Sequence, residues 1–234
     1  MGLTRRNFVT GGTAAVCVLS MAAGSLQAKP VVEGERIVLP TPKKTGGMPL
    51  LDTLSTRKTT RVYSSRMLDA QTLSDLLWAA FGINREDGRR TAPSALNSQE
   101  IQIFVILEGG IYVYEPKDHA LERKLAGDYR KLAGTQSYAQ SVPVSFVYVA
   151  DLEKSLTSPE SSESYACVDC GFIGQNVYLF AAANGLCSAF RGSIDRKALA
   201  ETLKLKASQR VLYGQSIGYG DEEKVQAAPI KLMK

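Results

Sequence analysis

Apolar positions recur along residues 70–81 at the spacing of one helix face, with Leu73, Leu76, Leu77, Ala80 and Phe81 in register. Asp69 stands where an N-cap is needed and Gly82 where such a helix ends. Trp78 lies beside the stripe, as a core residue would. Upstream, Leu50, Leu51 and Leu54 predict a short helical turn. The period then changes. Residues 101–107 are apolar except for Gln102, Glu108-Gly109-Gly110 reverses the chain, and apolar positions resume over residues 111–114, which predicts a β-hairpin. Residues 142–150 form a second strongly apolar strand, with Pro143 near its start where a missing N–H is tolerated.

The charged residues 118–133 are expected as an exposed helix, with His119 as its cap or a surface group. Residues 84–88 and 155–164 are polar and read as loops, the second as a flexible lid. Residues 165–184 make the longest helix, closed by Gly185, and Ala166, Cys170 and Gly174 recur on one face small enough for close approach. Residues 186–190 are a short strand, Asp195 caps a helix through Leu203, and residues 209–218 are the last strand. A hairpin among interspersed helices argues for an α+β fold rather than a doubly wound parallel sheet. Gly218-Tyr219-Gly220 lacks both a third glycine and a following helix, so a Rossmann site is not expected.

A chain of 234 residues suits one domain with an appendage. The net charge of +5 comes without an arginine-rich tract, which argues against nucleic acid as a partner. Thr4-Arg5-Arg6-Asn7-Phe8-Val9 has the twin-arginine form, and a small-residue, uncharged stretch follows to Leu26. Residues 1–28 are therefore expected to be an export signal ending at Leu26-Gln27-Ala28. A membrane anchor or a disordered tail is the competing reading. Residues 29–47, with prolines and a Gly-Gly pair, read as an extended arm or linker, and residues 48–234 as the domain. Export places the protein in the periplasm or cell envelope and makes the twin-arginine machinery a partner.

Removing the signal leaves Cys167, Cys170 and Cys187, an odd number that is no disulfide scaffold. The spacing of Cys167 and Cys170 invites a redox or metal reading, but His119 is the sole histidine and no second pair exists. Mid-helix, residues three apart hold their Cβ atoms ~5–6 Å apart, beyond the ~3.5–4.5 Å of a disulfide. Packing cysteines are expected. Among the chain's residues no Ser-His-Asp set, paired carboxylates or metal cluster is apparent.

The chemistry concentrates in Arg57-Lys58-Thr59-Thr60-Arg61-Val62-Tyr63. Guanidinium, ammonium and hydroxyl groups supply the donors and the charge that a phosphate needs. If the run is extended, Arg57, Thr59 and Arg61 share one face and Lys58 and Thr60 the other. Two further stretches follow in order: residues 90–99, with Pro93-Ser94-Ala95-Leu96-Asn97-Ser98-Gln99, and residues 185–193, from Gly185-Leu186 to Gly192-Ser193. Together the three resemble the nitroreductase-like FMN enzymes over residues 51–220.

That resemblance implies a central, mainly antiparallel or mixed sheet flanked by helices, and a homodimer built on the long helix. It implies FMN, with Arg57, Lys58 and Thr59 on the phosphate and Arg61 on the ribityl chain and the N1/O2 ring edge. Pro93, Ser94, Ala95 and Asn97 would reach the flavin from the other subunit. Phe190, Arg191 and Gly192 would lie on the N5 side, where a backbone N–H donates. Arg191 departs from members with an acidic residue at that place, and Lys231 would add a cation from the tail. The implied activity is a two-electron, ping-pong redox reaction on a small organic substrate. A non-catalytic, exported flavin-binding or interaction protein with the same fold is the alternative.

Overall fold

The computed structural model describes residues 35–221. The twin-arginine segment, its cleavage site and Lys231 lie outside them. Seven strands form one sheet: β1 (Arg36–Val38), β2 (Ile101–Leu107), β3 (Gly110–Glu115), β4 (Ala120–Ala126), β5 (Val144–Asp151), β6 (Leu186–Arg191) and β7 (Gln209–Tyr219). Their spatial order is β1-β4-β3-β2-β5-β7-β6, and every pairing is antiparallel, so the sheet is not mixed. The helices are α1 (Leu50–Thr56), α2 (Ala70–Phe81), α3 (Pro159–Ala183) and α4 (Arg196–Thr202).

Strand alternation sorts the apolar residues onto two faces. Ile101, Ile103 and Val105 of β2 join Phe146 and Tyr148 of β5 beneath α2 and α3. Phe104 and Ile106 turn the other way, with Val147 and Val149, toward Leu199 of α4. This double burial explains why β2 and β5 are apolar nearly throughout. Helix α2 forms where its pattern and cap predict it, with the Asp69 carboxylate accepting the Thr72 N–H at 2.8 Å.

Three elements differ from expectation. Residues 118–133 are not a helix: they form β4 and a short 3-10 turn at Arg130–Leu132. Their helix-forming side chains are outweighed by pairing on both sides, with β3 and with β1. A register shift between Ile111 and Tyr112 explains the misleading pattern, because it sends Leu121 and Leu125 to opposite faces. His119 is accordingly no surface group. It sits half-buried at φ 46°, with Nε2 2.6 Å from Ser74 Oγ and Nδ1 2.9 Å from Tyr114 Oη. Second, the sheet begins within the expected arm, since β1 adds an edge strand beside β4 and Leu39 enters the core. Third, α3 starts at Pro159, inside the expected loop. Proline at the first helical position is preorganised there, and Ser162 Oγ donates to the Pro159 carbonyl.

Helix α3 is the axis of the structure, crossing the sheet with Ala166, Cys170, Ile173, Gly174, Val177 and Ala181 buried. Cys167, Cys170 and Cys187 are all free thiols. A Cβ on Gly174 would come within 2.6 Å of the Phe190 ring, so the small-residue face does permit close approach, here between α3 and β6.

Candidate functional site

The basic stretch leaves α1 at Arg57 and runs extended along the outer edge of β6. The Thr60 N–H donates to the Ser188 carbonyl at 3.0 Å, and the Ser64 N–H to the Tyr219 carbonyl at 2.9 Å. Extended backbone separates the side chains as alternation requires. Lys58 and Thr60 line a groove of about 570 Å³ with Ser64, Arg66, Tyr178 and Cys187. That volume lies in the range of small-molecule sites. Tyr178, on α3, ties the site together: Thr59 Oγ1 lies 2.9 Å from its hydroxyl, which also accepts the Phe190 N–H at 2.8 Å. Arg57 stacks over the same ring, 5.4 Å from its centroid, and Arg66 covers Tyr219 at 3.9 Å.

Among the described residues, none of Arg57, Lys58, Arg61 and Arg66 takes part in an ion pair. Cations free of ion pairs, three of them exposed and Arg57 half-buried, beside two threonine hydroxyls, are a donor set that fits a phosphate. Burial pushes the Cys187 thiol up, although Thr60 and Lys58 act in the opposite direction. The thiol form is thereby favoured at Cys187, which lines the groove.

Phe190 and Arg191 point to opposite faces of the sheet. The Phe190 ring packs against Tyr148 and Tyr213 with centroids 5.7 and 5.1 Å away. Arg191 is 5% exposed, and its guanidinium donates to the Ala133 carbonyl and Ser216 Oγ at 2.6 Å each. Gly134 leaves room for it, since a Cβ there would lie 2.7 Å from Arg191 Nε. Burial pushes the guanidinium down, and nearby Tyr138, Tyr63 and Tyr148 oppose that shift. The side chain thus clamps the loop after β4 to β7 instead of entering the groove. Gly192 is exposed just beyond β6.

The second stretch forms a tight loop before β2. Pro93 and Asn97 are exposed, and Ser94 and Ala95 half-buried. Leu96, Asn97 and Gln99 have φ of 51°, 59° and 49°, the left-handed region that non-glycine residues rarely occupy. Ser94 Oγ accepts the Gln99 N–H at 3.0 Å, and Asp169 of α3 accepts the Ala95 N–H at 3.0 Å. The loop and the basic stretch therefore attach to α3 at Asp169 and Tyr178, roughly 13 Å apart along the helix axis. One chain does not gather the two sets around the groove.

Tyr178, Ser64, Arg66, Cys187 and Asp169 were not singled out as site residues from sequence. Ser64 and Arg66 lie just past Val62-Tyr63, where the polar character of residues 57–61 resumes. Tyr178 and Asp169 carried no signal, because a helix sequence does not say what its side chains will meet.

The Nitroreductase family model matches residues 54–219. A candidate nitroreductase of Methanocaldococcus jannaschii is 31% identical over 168 residues, covering 67% of this chain and 85% of that protein. The crystal structure of a candidate nitroreductase from Ralstonia eutropha superposes with a TM-score of 0.76 at 37% identity, over 84% of this chain and 95% of the other. A third, from Anabaena variabilis, has the same fold with a TM-score of 0.67 at 22% identity, over 80% of this chain and 42% of the other.

Proposed function

The chain belongs to the nitroreductase family of oxidoreductases, and from that premise we propose that it binds FMN along the edge of β6 and uses it on a small organic substrate. The observation that carries this reading is the set of cations and hydroxyls on residues 57–66, outside any ion pair among the described residues, of which Lys58, Thr60, Ser64 and Arg66 line the groove. Arg57, Lys58 and Thr59 hold the phosphate. Arg61 lies along the ribityl chain and ring edge, where a cation favours the negative charge that reduction brings. Bound there, FMN supplies two-electron hydride chemistry, and the protein supplies position and electrostatics. Lys231, outside the described residues, is assigned to the phosphate from the tail.

The site is shared in a homodimer, with Pro93, Ser94, Ala95 and Asn97 of the partner subunit closing it. Two features support this: the separation of the loop from the basic stretch within one chain, and an apolar outer face on α3. Val168 and Phe172 there are 50% and 44% exposed, near the exposed Leu96 of the loop that Asp169 holds. The twin-arginine segment supports export, a route that carries folded proteins and so suits a cofactor loaded before transport. Lysine at Arg5 and Arg6 should then leave uncleaved precursor inside the cell.

Titration of the purified protein with FMN, followed by fluorescence, tests the cofactor assignment. Charge-assisted hydrogen bonds contribute about 1.5–3 kcal/mol each. Replacing both Arg57 and Lys58 with Ala should weaken FMN binding by roughly 100-fold or more. A wild-type protein that takes up no FMN overturns the assignment.

A further inference from the structure

Two carboxyl groups are sealed beneath the loop at residues 93–97. Asp169 and Glu100 are each 2% exposed, and neither oxygen of Glu100 has a hydrogen-bond donor within reach. Beside its own backbone N–H, the polar side chain that Glu100 faces is Asp169. Ionised carboxylates are acceptors only, so the two can bond only through a proton that one of them carries. The remaining neighbours do not relieve the charge. On α3, the Cys170 thiol is fully buried. At the end of β5, Asp151 accepts from Ser208 Oγ at 3.2 Å. On the loop's own approach, Arg90 is occupied by Gln99 Oε1 at 2.7 Å and the Phe81 carbonyl at 3.3 Å.

The pair sits where the loop is strained. Asp169 holds the Ala95 N–H from below, and Glu100 directly follows the left-handed Gln99. We propose that Asp169 is a positioning residue for the loop at residues 93–97, and that Glu100 keeps it in place by carrying the proton the two carboxyls share. Given the shared flavin site proposed above, on which this inference rests, the proton state of the pair sets how well one subunit closes its partner's cofactor site. When Glu100 ionises, two buried negative charges repel, and movement of either one displaces the loop, through Ala95 or through Gln99. Burial, reinforced by Asp169, pushes the Glu100 carboxyl up to about 7, so this loosening occurs near neutral pH.

Amide hydrogen exchange on the full chain without flavin reads the clamp independently of the cofactor. After correction for intrinsic rates, protection of residues 94–99 in the wild type should fall about tenfold between roughly pH 5.5 and 8.5, the scale of one lost hydrogen bond. Glu100→Gln, whose amide donates to Asp169 at every pH, should hold protection constant. Asp169→Ala should expose the same residues by about tenfold at low pH, with the rest of α3 unchanged. Wild-type-like pH dependence in Glu100→Gln, or unchanged loop exchange in Asp169→Ala, overturns the proposal. If Asp169→Ala does not fold, the Glu100→Gln series decides alone. In FMN titrations the wild type should lose affinity over the same pH range while Glu100→Gln does not, and equal profiles overturn the link to the site. No FMN uptake at all overturns the cofactor assignment, and the exchange result still decides the clamp.

Discussion

The hydroxyl of Tyr178 accepts the backbone N–H of Phe190 at 2.8 Å. The same oxygen lies 2.9 Å from Thr59 Oγ1, so one atom on α3 fastens both β6 and the basic stretch. Tyr178→Phe removes that atom without changing the ring. An N–H left without its partner costs about 1–3 kcal/mol. The variant should unfold at lower urea concentration and bind FMN more weakly, because Thr59 loses its support. Unchanged FMN affinity, measured by fluorescence titration, shows that Tyr178 serves the fold alone.

Gly174 offers a case in which helix propensity and packing point in opposite directions. Alanine in a helix interior is favoured over glycine by about 1 kcal/mol. Here its Cβ would meet Phe190 Cδ2 at 2.6 Å and Gln215 Oε1 at 3.4 Å. Overpacking typically costs about 1–3 kcal/mol, and Phe190 is held by Tyr148 and Tyr213. Gly174→Ala is expected to lower the thermal midpoint. Gly171, with nothing within 4 Å of its Cβ position, tests the same substitution without that contact. Equal effects at both positions would remove the packing argument.

Val168 and Phe172 form the exposed apolar face on which the homodimer assignment rests. An aspartate at either position places a charge in the interface, where an unpaired buried charge is strongly unfavourable. Phe172→Asp should elute as a monomer in size-exclusion chromatography with light scattering, and should bind FMN poorly if the site is shared. A variant that stays dimeric with full FMN affinity moves the interface elsewhere.

Two groups, Glu100 buried and His119 half-buried, give stability differences of opposite sign with pH. Glu100 is raised from an ordinary 4.5 to about 7. Its neutral form is favoured in the fold, so its contribution is present below about pH 4.5 and lost as pH rises to 7. Glu100→Gln should therefore gain on the wild type over that window, reaching roughly 3 kcal/mol at higher pH. His119 is lowered from 6.5, chiefly by burial, so its neutral form is favoured. Its contribution is present above pH 6.5 and lost as pH falls below it. His119→Asn, tolerant of the positive φ, should flatten that acid limb. Chemical denaturation of wild type and variants across the pH range, compared as differences, checks both signs. Either difference of the wrong sign refutes its assignment.

Much of this molecule is legible in its sequence because much of it is set by local periodicity. The stripe and cap of α2, the apolar runs of β2 and β5, and the ordered motifs that mark the family each depend on residues close together in the chain. The basic stretch was also visible, since charge and hydroxyl content do not need a fold to be recognised. Tertiary structure decided the rest. Residues 120–126 carry charges that suit a helix, and only β1 and β3 on either side make them a strand. The family resemblance sets Arg191 on the N5 side of a flavin, yet alternation along β6 turns it into a cradle made by Gly134, Ser145 and Ser216. Tyr178 reaches Thr59 across 119 positions, and Asp169 reaches Ala95 across 74. Periodicity places a side chain on a face, but which distant atom meets that face depends on how the helices pack on the sheet.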